Sequence, residues 1–363
     1  MYITVKQPVA QQGVRLYQMK KITMIEIAEE LGVSKSTVSR AFDPSSNISN
    51  EVRNRILEYA KEKNYVLNRA ASRLSMREIN IGMLYPDLYS YATNEFIRGI
   101  NDGSRELFDL KVNIDFYPYD RSDMNAEKLS SFLSGLKNYD GLIVNGFTGH
   151  DEIAVLNRYS ESGIKLAVLQ SDVPELNKLF ASCHDPALSS AMAAEFISNC
   201  LFRSESKNVV LFTGDRNSEL HRISEKCFLE AAAENRLNVT GSFDMKDSPD
   251  ILDEQLEQLY GRDGEKPDAI YITSGESLRL CRYISENGLS DSTVLVTFDV
   301  YPEIIGYISS GTVNATFYQN HYKQGKNAFT NLVRYLIGQS DVDSFVSPVP
   351  EIVMKSNLRF YTN

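Results

Sequence analysis

Residues 22–63 constrain this chain most, because they mark helix starts and stops at closely defined spacings. Thr23 and Glu26 stand three apart, the capping-box spacing in which hydroxyl and carboxylate each take an orphan amide at a helix start. Ile22 and Ile27 occupy the staple positions on either side of that cap, and Ile27, Ala28 and Leu31 share one helical face. Gly32 permits the left-handed conformation that stops a helix, and Ser34 can cap the next one. Helix, glycine turn and second helix within about twenty residues predict a helix-turn-helix. The second helix, Ser34 to Phe42, turns Val38 and Ala41 inward and leaves Lys35, Ser36, Thr37, Ser39 and Arg40 outside. Such a face suits a major groove, since hydroxyls bond phosphates and Arg can fork onto guanine. A third helix, from Ser49 to about Lys63, returns Val52, Ile56 and Tyr59 over the other two.

These residues resemble the lactose-repressor family headpiece. The resemblance rests on Val-Ser-x-x-Thr-Val-Ser-Arg at 33–40, Ser-x-x-x-Arg at 49–53 and Asn-Tyr-x-x-Asn at 64–68. It implies that Lys35, Ser36 and Arg40 read bases, while Ser34, Thr37, Ser39 and Asn47 make phosphate or mixed contacts. Asp43-Pro44 departs from the family, where Asn is more usual; an acid facing phosphate is unfavourable, so Asp43 reads as a turn cap. Residues 67–77 match the family's hinge, with room for only about seven helical residues, too few to hold a helix alone in water. The resemblance implies a hinge that folds only on DNA and in a dimer. Asn68 caps it, Arg69 lies among its DNA contacts, and Ala71 lets two such helices approach. Leu74 is then the apolar wedge of the minor groove. Without the resemblance, the same residues read as a polar linker.

Composition divides the chain in a way that supports this. The whole carries −10, yet residues 20–77 are net +4, leaving −14 for the rest. A basic head on an acidic body directs the head to phosphate. Cys183, Cys200, Cys227 and Cys281 show no C-x-x-C pair and no metal spacing, which reads as reduced thiols of a cytoplasmic protein. No apolar run approaches membrane length. Residues 1–19 lack the apolar core of a signal peptide, and read either as a flexible basic arm or as preceding a true start at Met19. The first is favoured.

From Ile79 the pattern alternates apolar strands with helices: 79–86, 111–118, 139–146 and 164–172, then 207–215, 238–243, 268–275 and 292–299. Helices are expected near 94–108, 124–137, 151–162, 187–202, 219–236, 250–260 and 276–287. This predicts two doubly-wound parallel α/β lobes behind an all-α headpiece. The region is similar to the periplasmic-binding-protein-like core of the same family, in which the chain crosses between lobes three times. The expected organisation is a tail (1–19), a headpiece (20–66), a hinge (67–78) and a core (79–363). Lobe one takes about 79–184 and 317–344, and lobe two about 185–316 and 345–363.

Ligands in such sheets sit beyond the carboxyl ends of the strands. The strand-end candidates are Asp87, Tyr89 and Tyr91; Asn145 and Phe147; Gln170 and Asp172. Lobe two offers Asp215, Arg222, Ser274, Glu276, Asp299 and Tyr301, with Gln319 on a crossing. Asp299 and Gln319 align best with the family's sugar-contacting positions. Arg222 stands two residues early for the family's arginine, and Ser274-Gly275 replaces its usual Asn-Asp. Carboxylates and amides suit paired hydroxyls, and aromatic faces suit sugar rings. No G-x-S-x-G, H-E-x-x-H or G-x-G-x-x-G stands in the chain. His150, His184, His221 and His321 are scattered, with His221 able to border the cleft.

The reading is a non-enzymatic DNA-binding transcriptional regulator, a repressor that binds a pseudo-palindromic operator as a homodimer. A small effector, a sugar or sugar derivative, sits between the lobes, and no cofactor or metal is expected. A purine- or partner-protein-controlled regulator is the nearest alternative, a solute-binding protein the different-class one. An enzyme with an appended head would show turnover of its ligand.

Overall fold

The computed structural model describes residues 22–42, 46, 48–63, 65, 77–87, 90–147, 149–261, 266–339 and 341–362. The tail, the Asp43 cap, Asn47, Asn68, Arg69, Ala71, Leu74 and Tyr89 lie outside these residues. The chain divides into two compact units, Met1–Leu74 and Ser75–Asn363.

In the first unit, α1 is Met24–Leu31, α2 Lys35–Ala41 and α3 Asn50–Glu62. The capping box is complete: Thr23 Oγ1 accepts from the Glu26 amide while the Glu26 carboxylate accepts from the Thr23 amide. Gly32 takes φ +63°, and Ser34 and Ser49 cap the following helices through their hydroxyls. Ile27, Val38, Ala41, Ile56 and Ala60 are buried together, with Ile22, Leu31, Val52 and Tyr59 closing around them. This core is small, so polar ties matter. Arg53 donates to the carbonyls of Ala41 (3.2 Å) and Ser46 (2.8 Å), fastening α3 to the chain that leaves α2.

The second unit contains two six-stranded sheets. The first combines β1 (Ile79–Pro86), β2 (Val112–Tyr119), β3 (Gly141–Asn145), β4 (Lys165–Leu169), β5 (Phe180–Ser182) and β11 (Phe345–Val346), in the order β11-β5-β4-β3-β1-β2. The second combines β6 (Asn208–Thr213), β7 (Asn238–Asp244), β8 (Ala269–Ile272), β9 (Val294–Phe298), β10 (Ala315–Tyr318) and β12 (Glu351–Val353), in the order β12-β10-β9-β8-β6-β7. Every pairing is parallel except β10 with β12. Central strands such as β3, β6 and β8 are buried along their whole length, as sheets covered on both faces require.

Two crossings fall later than the sequence suggests. Phe317 and Tyr318 still pair within the second sheet, and Phe345 and Val346 pair with β5 of the first. Strands of two or three residues, such as β5, β11 and β12, carry too little periodicity to be seen in sequence. The helices, in chain order, are α4 (Ser90–Glu106), α5 (Ala126–Gly135), α6 (His150–Glu161), α7 (Pro186–Cys200), α8 (Glu219–Glu234) and α9 (Pro249–Tyr260). They continue with α10 (Leu278–Glu286), α11 (Ile305–Ser310) and α12 (His321–Leu336).

The sequence pattern predicts no helix where the long α12 stands. Asn320 caps it from a left-handed backbone (φ +55°), and Gly325 sits in its interior, where sequence alone suggests a weak spot. The glycine is there for proximity: a Cβ on Gly325 would lie 2.4 Å from the Phe96 carbonyl oxygen, and one on Gly99 of α4 only 1.9 Å from that of Tyr322. Gly99→Ala should therefore force α4 and α12 apart and cost about 1–3 kcal/mol of core stability. A urea midpoint equal to that of the wild type would refute this packing.

Candidate DNA-reading face and inter-lobe cleft

Helical geometry sorts the recognition residues. Lys35, Ser36, Ser39 and Arg40 are exposed, Thr37 is half-buried, and Val38 and Ala41 face the core. Ser34 is the N-cap: its Oγ accepts from the Thr37 amide at 3.0 Å and lies 2.7 Å and 2.8 Å from the hydroxyls of Ser36 and Thr37. Three hydroxyls thus cluster at the start of α2, where amides and the helix dipole favour a phosphate oxygen. The Arg40 carbonyl accepts from Ser46 Oγ, so the residue's backbone is anchored while its side chain stays outside.

In the second unit a cavity of about 410 Å³ opens between the lobes at the carboxyl ends of the strands. Tyr91, Gln170 and His184 come from the first lobe and its crossing; His221, Asp247, Thr273, Ser274, Glu276, Asp299 and Tyr301 from the second; Gln319 and His321 from the other crossing. Tyr91, Gln170, Ser274, Glu276, Asp299, Tyr301 and Gln319, all strand-end or crossing candidates in the sequence, meet here.

Asp299 sits at the end of β9 in a left-handed conformation (φ +63°), which few non-glycine residues adopt. Its carboxylate accepts from Gln319 Nε2 at 2.7 Å and the Gln319 amide at 3.3 Å, and His321 Nε2 is 3.8 Å away. Burial pushes the Asp299 carboxyl up, against the opposing pull of His321 and Gln319. His321, 2% exposed, stands edge-on to Phe96 and Tyr91 with neither ring nitrogen hydrogen-bonded. His184 Nδ1 and Gln319 Oε1 are likewise buried without a partner. Buried polar atoms seldom stay unpaired, because each forfeits water's hydrogen bonds.

The opposite wall is a second network. His221 Nδ1 lies 3.2 Å from Thr273 Oγ1, and Nε2 lies 3.5 Å from Asp247 Oδ2. Asp247 also accepts from Ser274 Oγ (2.7 Å) and the Asp215 amide (3.2 Å). Burial would raise this carboxyl, but its bonds to His221, Ser274 and Asp215 outweigh it and hold the group at about 2. Gly214 leaves the space: a Cβ there would stand 2.3 Å from His221 Nε2 and 2.4 Å from Asp247 Oδ1.

Other candidates lie elsewhere. Phe147 stacks on Tyr119 (4.9 Å, 27°) inside the hydrophobic core, and the Asn145 carbonyl accepts from Tyr119 Oη at 2.8 Å. That corner is filled by aromatic packing, so neither residue lines the cavity. Asp87 is exposed at the end of β1, and Asp215 accepts from the Asn217 amide at its own turn. Asp172 and Arg222 line a separate cavity of about 110 Å³, Asp172 ion-paired with Lys178 (2.8 Å) and Arg222 hydrogen-bonded to Glu219. Helical phase explains Arg222: on α8 it is His221 that turns inward. His184, Asp247 and His321 reach the cleft from loops or crossings whose position sequence does not reveal, whereas Thr273 directly follows β8, beside the strand-end candidate Ser274.

Among the described residues no group of His, Cys, Asp and Glu could hold a metal, and no helix is long and apolar enough to cross a membrane. Cys183 and Cys281 are buried, and burial pushes both thiols up to about 12.

Two family descriptions match this chain: "Bacterial regulatory proteins, lacI family" over residues 23–68 and "Periplasmic binding protein domain" over residues 81–340. The chain belongs to the lacI family of bacterial regulatory proteins. It is a DNA-binding transcriptional regulator with a periplasmic-binding-like core. Catabolite control protein A of Priestia megaterium is 25% identical over 349 residues, 91% of this chain and 96% of that protein. The lac repressor dimer bound to operator and the anti-inducer ONPF shares the fold at a TM-score of 0.60, with 20% identity over 92% of this chain and 98% of that one. GanP, a glucose-galactose binding protein of Geobacillus stearothermophilus, shares it at a TM-score of 0.68, with 16% identity over 78% of this chain and 99% of that one. Its lacI-family membership accounts for a basic headpiece joined to a cleft-bearing core.

Proposed function

We propose that this lacI-family regulator is a repressor that binds a pseudo-palindromic operator as a homodimer and answers to a polyhydroxylated effector in the inter-lobe cavity. The observation that carries the effector site is the set of unpaired buried polar atoms on His184, Gln319 and His321 around that cavity. A ligand rich in hydroxyls, each both donor and acceptor, would satisfy them. Tyr91 and Tyr301 offer aromatic surface beside these groups. Binding that draws the lobes to a new angle would shift the hinge between DNA-competent and incompetent arrangements.

On the DNA side, Lys35, Ser36 and Arg40 read bases, while Ser34, Thr37, Ser39 and Asn47 position the backbone. Asn68, Arg69, Ala71 and Leu74 form the minor-groove contact. Recognition helices of a dimer would enter successive major grooves about 10 base pairs apart. Selection of bound duplexes from a random pool tests this: two inverted half-sites at that spacing are expected, and recovery of a single unrepeated half-site would sink the dimeric reading. Arg40→Ala should weaken binding to the recovered site by about 1–3 kcal/mol and relax preference at one base pair per half-site. Equal weakening on all sequences would reduce Arg40 to a phosphate contact.

A further inference from the structure

The charge of the cavity wall goes further than its shape. Four carboxylates line the cavity (Asp247, Glu276, Asp299 and Glu303) alongside three histidines (His184, His221 and His321), with no Lys or Arg among the described lining residues. The nearby arginines are engaged elsewhere: Arg222 bonds Glu219 and is 60% exposed, and Arg279 pairs with Asp250 and Asp253. At Ser224, where the family's arginine is expected, a buried hydroxyl donates to the Leu220 carbonyl at 2.9 Å.

We infer that the cavity accepts a polyhydroxylated effector bearing no anionic group, uncharged or amine-carrying, and rejects phosphorylated and carboxylated relatives. The inference rests on the effector reading of the cavity. It has an independent support in His321 and His184, both over nine-tenths buried with unpaired ring nitrogens on that wall. An imidazole that is neutral offers one donor and one acceptor, the pairing a hydroxyl needs. A phosphate needs several donors and a cation. Helix starts near the cavity, at Glu219, Leu278 and His321, each contribute about half a positive charge, but no Lys or Arg among the described lining residues adds to them and four carboxylates stand on the same wall. Asp247 is held ionised by its hydrogen bonds, so at least one of these negative charges stands at neutral pH. Ligand anions would therefore enter a desolvated site that already repels them.

Isothermal titration calorimetry on the full chain with matched sets tests this: D-glucose, D-glucosamine, D-glucose 6-phosphate and D-glucuronate, and the same four derivatives of galactose and mannose. In the set that binds, the parent or its amine should exceed the phosphate and the uronate by about tenfold or more in affinity. Glu276→Gln combined with Glu303→Gln should narrow that ratio by raising the affinity for the phosphate and the uronate relative to the parent, and an unchanged ratio would count against repulsion by the wall. A phosphate or uronate that binds as tightly as its parent overturns the inference while leaving the effector site standing. Heat from none of the twelve compounds overturns the polyhydroxylated reading itself, and the inference with it.

Discussion

Asp299→Ala should lower effector affinity by about 100-fold, equivalent to two charge-assisted hydrogen bonds at roughly 1.5 kcal/mol each. The effect follows from position. The carboxylate stands on the cavity wall at a strand end, fixed by two bonds from Gln319. Operator affinity without effector should stay within about twofold, since Asp299 and α2 belong to separate units. Core stability should hold or rise at neutral pH. The sign follows from burial: the folded-state carboxyl titrates above its ordinary value, so ionising it works against the folded state as pH rises through that range. A site that retains a carboxylate at such a cost is more stable without it. Calorimetric titration and a thermal melt of the same variant check both halves. Undiminished effector affinity in the variant would place the binding site elsewhere.

Acid should unfold the core partly through His184. Burial holds this imidazole down to about 3, helped by facing His321 and His221, with Phe298 against the ring at 5.6 Å. The folded state keeps it neutral, while the unfolded chain protonates it below about 6.5. Between those values the unfolded state binds the extra proton, so stability is fully present above about 6.5 and falls as pH drops toward 3. The loss attributable to this one group is of order 3–5 kcal/mol at the low end. His184→Asn should flatten the dependence of unfolding free energy on pH across that window by about one proton equivalent. Identical slopes in the two proteins would mean that His184 is not kept neutral by the fold. Asp247 adds a separate, lower window: its carboxyl, ordinarily at 3.8, titrates at about 2 when folded, so its contribution is present above 3.8 and lost as pH falls through 2.

The sequence made the headpiece readable because its signals are local. Thr23, Glu26, Gly32, Ser34 and Ser49 act within one helical turn of themselves, and each caps or stops the helix expected of it. Strands such as β1 and β6 are legible for a related reason, an apolar run long enough to require a covered sheet. Legibility fails where position depends on distant packing. Helix α12 hides behind Gly325, whose purpose is visible only once Phe96 is beside it. Asp247 precedes Ser248 and Pro249 and reads as part of a helix start, yet its φ of +50° turns the carboxylate back toward His221. Phe147 shows the reverse failure: a strand-end aromatic suggests a ligand platform, but Tyr119 claims its face. The strand-end rule found the cavity and about half of its polar wall; the crossings that bring His184 and His321 inward carry no local signature.

The measurement that bears most directly on the regulator is a fluorescence-anisotropy titration of a selected operator duplex with the full chain. It is run with and without a cleft ligand at ~100 times its dissociation constant, for wild type and Asp299→Ala. The ligand is expected to change wild-type operator affinity by about tenfold or more in one direction and to leave the variant unmoved. Operator affinity that is the same with the cavity occupied or empty would contradict coupling between cleft and headpiece, and with it the regulatory role proposed for the core.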